Sequence, residues 1–270
     1  MHFQRAIVTG ASSGFGEAFA RRLAPSVEEL VLVARRRERL EQLAETLSRE
    51  FPCLRTFVEP ADLADEKQRH ELLCRLNALP PVSTLLINNA GLGDYGELLT
   101  SNPERNASML AVNVAAPTEL CRALLPVLAR HGGGIVNVAS LAAELPIPDF
   151  AVYAASKAYL ASFSEALRLE MMEYGVPVVA VCPGPVRTGF GAVARRDGFT
   201  GNMTPCRDLF DTSIACVVTD SLRALAGNRA RVYPSFKIKA AALLLRLLPL
   251  PFLRAVLSRR PRKIAPSSDR

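Results

Sequence analysis

The chain has no pair of cysteines spaced C-x-x-C and no cysteine beside a cluster of histidines. Its six cysteines, Cys53, Cys74, Cys121, Cys182, Cys206 and Cys216, are scattered. That argues against a zinc site or a disulfide framework and suits a reducing compartment. Cys121 and Cys182 lie in apolar stretches and read as small buried hydrophobes. Histidine is scarce too: only His2, His70 and His131 are present, and there is no G-x-S-x-G elbow. A serine hydrolase would therefore lack both its nucleophile turn and a suitable base. No secretory leader fits ahead of Arg5-Ala-Ile-Val-Thr9, which reads as a core strand, so a cytoplasmic location is expected. Internal repeats and low-complexity linkers are also missing.

What is present suits one large α/β domain: 270 residues with 49% hydrophobic content. The net charge of +7 is unevenly spread. Residues 222–270 hold 12 Lys/Arg against one acid, Asp269, and the remainder carries 21 basic and 25 acidic residues. The body is mildly acidic and only the tail is basic. Without aromatic interleaving or a nucleic-acid motif, no nucleic acid partner is expected.

Nearly continuous apolar, β-branched runs predict strands at Ala6–Thr9, Leu30–Ala34, Arg55–Val58, Leu85–Asn88, Gly134–Ala139, Val176–Cys182 and Ala230–Tyr233. Amphipathic stretches between them predict helices over Gly14–Leu23, Glu38–Glu50, Glu66–Leu76, Glu104–Arg130, Tyr153–Tyr174 and Asp208–Leu225. Alternation of this kind implies right-handed crossovers and a doubly wound Rossmann fold. The expected architecture is a single parallel sheet of about seven strands with helices on both faces. The expected division is a catalytic domain over 1–234, with a substrate-capping region at about 189–227, followed by an apolar, basic extension over 235–270.

The first strand runs into Thr9-Gly10-Ala11-Ser12-Ser13-Gly14-Phe15-Gly16 and then a helix. Glycines let the backbone turn sharply beside a pyrophosphate, and the helix N-terminus offers free N–H groups and a positive dipole end. The second strand ends in Val33-Ala34-Arg35-Arg36-Arg37, with no carboxylate for the adenosine ribose hydroxyls. Guanidinium groups there suit a 2′-phosphate, so Arg35, with Arg36 beside it, points to NADP(H). Arg37 and Arg39 read as a solvated helix start.

Together the motifs resemble the classical short-chain dehydrogenase/reductase family from about Arg5 to Thr188. They are Thr9-Gly10-x-x-x-Gly14-x-Gly16, Asp62-Leu63, Asn88-Asn89-Ala90-Gly91, Asn113, Ser140, Tyr153-x-x-x-Lys157 and Pro183-Gly184-Pro185-Val186-x-Thr188. The resemblance implies that Gly10, Ser12, Ser13, Gly14, Phe15 and Gly16 hold the cofactor, with Asp62 on the adenine amine and Leu63 nearby. It also implies that Asn89, Ala90 and Gly91 lie beside the cofactor, with Asn89 bracing the sheet. Pro183, Gly184, Val186 and Thr188 would wrap the nicotinamide. Dimers or tetramers are usual in the family, so a homo-oligomer is a further expectation.

Tyr153 and Lys157 lie four apart on an apparent helix and so share a face. A free tyrosine, with a pKa of ~10, is a poor base near neutrality. A nearby ammonium would lower that value, so Lys157 is expected to tune Tyr153 as the acid/base. The family also implies that Lys157 holds the nicotinamide ribose. Ser140, closing the fifth strand, would hydrogen-bond the substrate oxygen. The resemblance also implies that Asn113 holds a water linking Lys157 to solvent. A non-catalytic NADP(H)-binding module would not need this set, whereas an oxidative alcohol dehydrogenase would use it unchanged. No metal is expected.

After Thr188, the polar Gly189–Pro205 stretch fits a lid as well as a surface loop. The tail contains Ala240–Leu248 and Phe252–Leu257, broken by Pro249 and Pro251, then Arg259-Arg-Pro-Arg-Lys263. Each apolar piece falls short of the ~20 residues that span a bilayer. Two readings stand: packing on the core or a second subunit, and peripheral contact with an anionic membrane surface through 240–263. The second favours a small hydrophobic carbonyl or alcohol substrate, such as a lipid, steroid, retinoid or acyl compound.

Overall fold

The computed structural model describes residues 2–186, 189–196 and 212–258. Seven strands form one sheet: β1 (Arg5–Thr9), β2 (Glu29–Ala34), β3 (Arg55–Pro60), β4 (Thr84–Asn88), β5 (Gly133–Val138), β6 (Val178–Val181) and β7 (Arg231–Val232). Their order is β3-β2-β1-β4-β5-β6-β7, and every neighbouring pair is parallel. The helices are α1 (Gly14–Leu23), α2 (Arg37–Glu50), α3 (Glu66–Asn77), α4 (Pro103–Leu110), α5 (Ala116–His131), α6 (Ala151–Glu170), α7 (Phe190–Ala194), α8 (Ile214–Ala226), α9 (Phe236–Leu247) and α10 (Leu250–Leu257).

The continuous apolar runs follow from a sheet covered on both faces. Ala6, Val8, Leu30 and Leu32 face one layer, where Phe19 of α1, Leu40 of α2 and Val217 of α8 meet them. Ile7, Val31 and Val33 point the other way, against Leu72 of α3, Leu120 of α5 and Leu167 of α6. Each such large side chain contributes roughly 1.5–3 kcal/mol on burial, offset largely by the entropy of ordering the chain.

The long helix expected over Glu104–Arg130 is interrupted. A single π-helical turn, Ala111–Ala115, joins α4 to α5. Pro117 has no N–H to give to the carbonyl of Asn113 four residues earlier. The ladder lengthens instead, and the Ala116 N–H bonds the Ala111 carbonyl. Such bulges recur at functional sites, and this one carries Asn113. The helix expected from Asp208 begins at Ile214, where the Ser213 hydroxyl accepts the Cys216 N–H at 3.1 Å; residues 208–211 lie outside the described residues.

Candidate active site

β1 pairs with β2 on one side and β4 on the other, so successive crossovers diverge at that point. In a doubly wound sheet this opens a crevice at the strands' C-terminal ends. The turn after β1 lines it. Gly10 and Gly14 have φ of +67° and +60°, a backbone conformation that glycine adopts without steric cost. A Cβ on Gly16 would lie 2.1 Å from the Gly10 carbonyl oxygen, so α1 packs directly on the turn. Ser13, at the N-cap of α1, is fully extended and makes no side-chain cap bond. The first N–H groups of α1 thus lack the usual cap, as an anion-binding helix start requires.

Arg36 reaches back over this turn. Its guanidinium donates to Ser12 Oγ at 2.9 Å and Ser13 Oγ at 3.0 Å. Arg35 turns the other way, 3.8 Å from an Asp62 carboxylate oxygen. Asp62 also accepts the Ala64 N–H, and Leu63 is buried in the core. The sequence ranks Arg35 above Arg36, but side-chain direction couples Arg36 to the glycine turn. Asn89 braces the sheet, as expected: its Nδ2 donates to the Thr9 carbonyl at 2.8 Å, while Thr9 Oγ1 accepts the N–H groups of Asn89 and Ala90. Gly91 leaves space filled by its neighbours; a Cβ there would meet Lys157 Nζ at 3.3 Å and Asn113 Oδ1 at 3.5 Å.

Lys157 and Asn113 approach that glycine, and the Tyr153 ring lies beside Lys157. Lys157 is buried and donates from Nζ to the Val138 carbonyl at 2.8 Å, with Nζ 5.8 Å from the Tyr153 ring centre. Burial lowers its pKa to about 8. Asn113 is held on both sides of its amide. It exchanges both side-chain hydrogen bonds with the backbone of Leu92 and donates to Ser156 Oγ, each at 2.9 Å. Ser140 caps a short 3₁₀ turn, Leu141–Glu144, by accepting the Ala142 N–H.

Tyr153 is buried at the N-terminal end of α6. Burial pushes its pKa well above the usual phenol range, opposed by a hydrogen bond with Ser140. The Lys157 ammonium is itself desolvated and donates to a backbone carbonyl. Pro183 accepts the Leu141 N–H through its carbonyl at 2.8 Å, and Gly184 and Val186 follow at the crevice rim, half-buried. Thr188 lies outside the described residues.

Sequence reasoning missed the aromatic lining. Tyr95 stacks on Phe150 at 3.8 Å between ring centres, and Phe150 stacks on Tyr153 at 4.1 Å. Phe190 of α7 tilts over Tyr153 at 5.5 Å and occupies the space where Gly93 lacks a side chain. The low aromatic content, 6%, was the available signal: few rings, several gathered here. Buried Asp94 binds Arg105 at 3.0 Å and Arg196 at 2.6 Å, tying the segment after α7 to the loop after β4.

A sequence profile described as short chain dehydrogenase matches residues 4–197. Sulfoacetaldehyde reductase 2 of Chromohalobacter salexigens is 38% identical over 245 residues, covering 85% of this chain and 93% of that protein. A short-chain dehydrogenase from Sphingobium yanoikuyae, solved with NADPH, superposes with a TM-score of 0.77 at 27% identity, covering 97% of this chain and 98% of that one. A bulky-bulky ketone specific alcohol dehydrogenase from Comamonas testosteroni gives 0.76 at 28% identity and covers 98% of both chains. This chain belongs to the short-chain dehydrogenase family: it is an oxidoreductase of alcohol and carbonyl groups that uses a nicotinamide cofactor.

Proposed function

We propose that this chain is an NADP(H)-dependent carbonyl reductase acting on a small hydrophobic ketone or aldehyde, with Tyr153 as the proton donor. The observation that carries the reading is the setting of Tyr153: it is buried, the Ser140 side chain acts on its hydroxyl, and its ring packs against Phe150 and Phe190. Burial keeps that hydroxyl protonated near neutrality, which suits an acid more than a base. Bound NADPH would supply the hydride. Tyr153 would then give its proton to the carbonyl oxygen while the Ser140 hydroxyl stabilises the charge developing there. Lys157 Nζ lies one turn away, where it can hold the nicotinamide ribose hydroxyls. Asn113 holds the loop after β4 through Leu92 and is joined to Ser156 of α6, where it would support a water that links Lys157 to solvent. Oxidation of an alcohol would use the same groups in reverse.

The preference for the 2′-phosphate rests on Arg36, held over Ser12 and Ser13, with Arg35 adjacent. A carboxylate is missing from the end of β2, where an NAD-preferring site would use one on the ribose. Gly10, Gly14, Phe15 and Gly16 would pack the pyrophosphate against α1, and Asp62, Leu63, Ala90, Gly184, Val186 and Thr188 would line the rest.

The apolar walls favour a hydrophobic substrate. A small sulfonated aldehyde is a second reading, favoured by the name of the Chromohalobacter relative. It would need a cation facing the substrate, and the nearby Arg105 and Arg196 are paired with Asp94. We further infer a cytoplasmic enzyme that meets membrane surfaces through α9 and α10. They expose Phe236, Leu243, Leu244, Leu247, Phe252 and Val256, and neither helix contains an acid.

The test is NADPH consumption with decanal, cyclohexanone, benzaldehyde and sulfoacetaldehyde, comparing wild type with Tyr153→Phe. Turnover of an apolar carbonyl that falls by at least about a thousandfold in the variant supports the reading. Equal turnover in both proteins overturns the acid, and turnover of sulfoacetaldehyde alone selects the second reading.

A further inference from the structure

Helix α9 reaches the turn that Ser140 begins through a partly buried ionic cluster. Its hub is Glu144, the last residue of the 3₁₀ turn that Ser140 begins. One carboxylate oxygen of Glu144 accepts the Tyr233 hydroxyl at 2.6 Å and pairs with the Arg231 guanidinium. The other oxygen accepts from Arg246 Nε of α9 at 3.1 Å. Arg231 also donates to Glu165 of α6 at 2.7 Å, and the Arg246 guanidinium lies 5.7 Å from the Tyr233 ring centre. Five residues from the 3₁₀ turn, α6, β7 and its end, and α9 therefore meet on one carboxylate and its partners.

We infer that Glu144 and Arg246 are positioning residues for Ser140, so that α9 is a working part of the active site. The inference rests on the proposed role of Ser140. The turn Leu141–Glu144 is short and held at two ends. At its start, the Leu141 N–H bonds the Pro183 carbonyl, and Ser140 Oγ accepts the Ala142 N–H. At its finish, Glu144 is the anchor. Behind it, Ala143 and Tyr233 pack against buried Ala139, Ala161 and Cys182. Burial alone would push the Glu144 carboxyl up, yet the hydrogen bonds of Tyr233 and Arg246 and the charge of Arg231 outweigh it and hold the carboxyl below the usual range. The carboxylate is thus ionised and held from several directions, with Glu144 and Arg231 largely withdrawn from solvent, a setting in which such pairs fix geometry. An oxyanion-type donor works only when it is held in place before the reaction. Releasing the far end of a four-residue turn frees the serine at its near end.

Glu144 and Arg246 lie 102 residues apart in the chain. Among the described residues, no hydrogen bond or ion pair joins a partner of Glu144 to the glycine turn that would hold the cofactor, so loosening this cluster should act on turnover and spare NADPH affinity.

The experiment compares Arg246→Ala, Arg246→Lys and Glu144→Gln in the full-length chain. The assay is NADPH-dependent turnover of the best carbonyl from the panel, alongside Tm and hydrogen exchange of the peptide spanning Ser140–Glu144. Because Arg246 is half-exposed, its alanine variant is expected to fold with Tm near wild type. We expect kcat to fall about tenfold in Arg246→Ala and further in Glu144→Gln, with the KM for NADPH within about twofold. Exchange in the 140–144 peptide should quicken in both, and Arg246→Lys should recover most of the loss. Unchanged kcat and exchange in folded Arg246→Ala and Glu144→Gln would overturn the inference. So would a kcat loss that tracks Tm and NADPH affinity without faster local exchange. If Tyr153→Phe retains full turnover, the functional reading fails by itself, while the exchange measurement still decides whether α9 holds the turn.

Discussion

A lysine buried against a backbone carbonyl carries a cost that depends on pH. Lys157 falls from its ordinary 10.5 to about 8 because burial disfavours the ammonium. Below pH ~8 both folded and unfolded chains bind the proton, so the folded state bears the full penalty. The penalty fades as pH rises from about 8 towards 10.5 and is gone above that. Lys157→Met keeps the volume and removes the charge. We expect it to raise Tm by a few degrees near neutral pH and by little above pH ~10, while lowering turnover at least about a hundredfold. A Tm difference that grows with pH would contradict the burial effect. At the other end of the crevice, Arg36→Ala should weaken NADPH binding about tenfold or more and leave NADH nearly unchanged. Arg35→Ala should have the smaller effect, since its guanidinium faces Asp62. Equal losses for the two cofactors in isothermal titration would refute the 2′-phosphate assignment. The residue types at this corner are plain in the sequence, but which arginine turns toward Ser12 is not, because that depends on the backbone leaving β2.

The element that most constrains the site is the turn between β1 and α1. Alanine at Gly16 would bring a Cβ onto the Gly10 carbonyl, a backbone atom with no rotamer to yield. Gly16→Ala should therefore shift the whole turn, lowering Tm by several degrees and NADPH affinity about tenfold or more. Unchanged affinity by fluorescence titration would mean that the turn does not cradle the cofactor. This element was legible because its glycines follow a buried strand and open a helix, two local signals in agreement. The five inner strands were legible for a related reason: strands covered on both faces need unbroken apolar runs. The break at Ala111–Ala115 was written less openly. Pro117 at the start of α5 reads as an ordinary helix residue until the carbonyl it fails to serve is identified as that of Asn113. The Glu144 cluster was illegible, since its cations lie 87 and 102 residues away and Glu144 by itself resembles any loop acid.

For the whole molecule, the same tail must face two ways. Ile238, Ala242 and Leu253 are buried, and Arg246 is tied to Glu144, so one side of α9–α10 belongs to the protein's own core. The other side leaves Phe236, Leu243, Leu244, Leu247, Phe252 and Val256 in solvent, beside Lys237, Lys239 and Arg254. The two readings open at the level of sequence are therefore compatible, because different faces would serve them. Apolar burial attracts the helices to any bilayer, while the cations add about 1 kcal/mol each only at an anionic surface. Vesicles of phosphatidylcholine mixed with phosphatidylserine should accordingly sediment the full-length chain more than phosphatidylcholine alone, and added salt should narrow the difference. Leu243→Glu with Leu247→Glu and Phe252→Glu would place acids on the exposed face without touching Ile238, Ala242 or Arg246. That triple variant should lose vesicle binding while keeping Tm and the turnover of a soluble carbonyl. Vesicle binding that survives the three substitutions would remove the membrane role from this face. Turnover lost together with binding would instead mean that the exposed face supports the fold, as the buried one does.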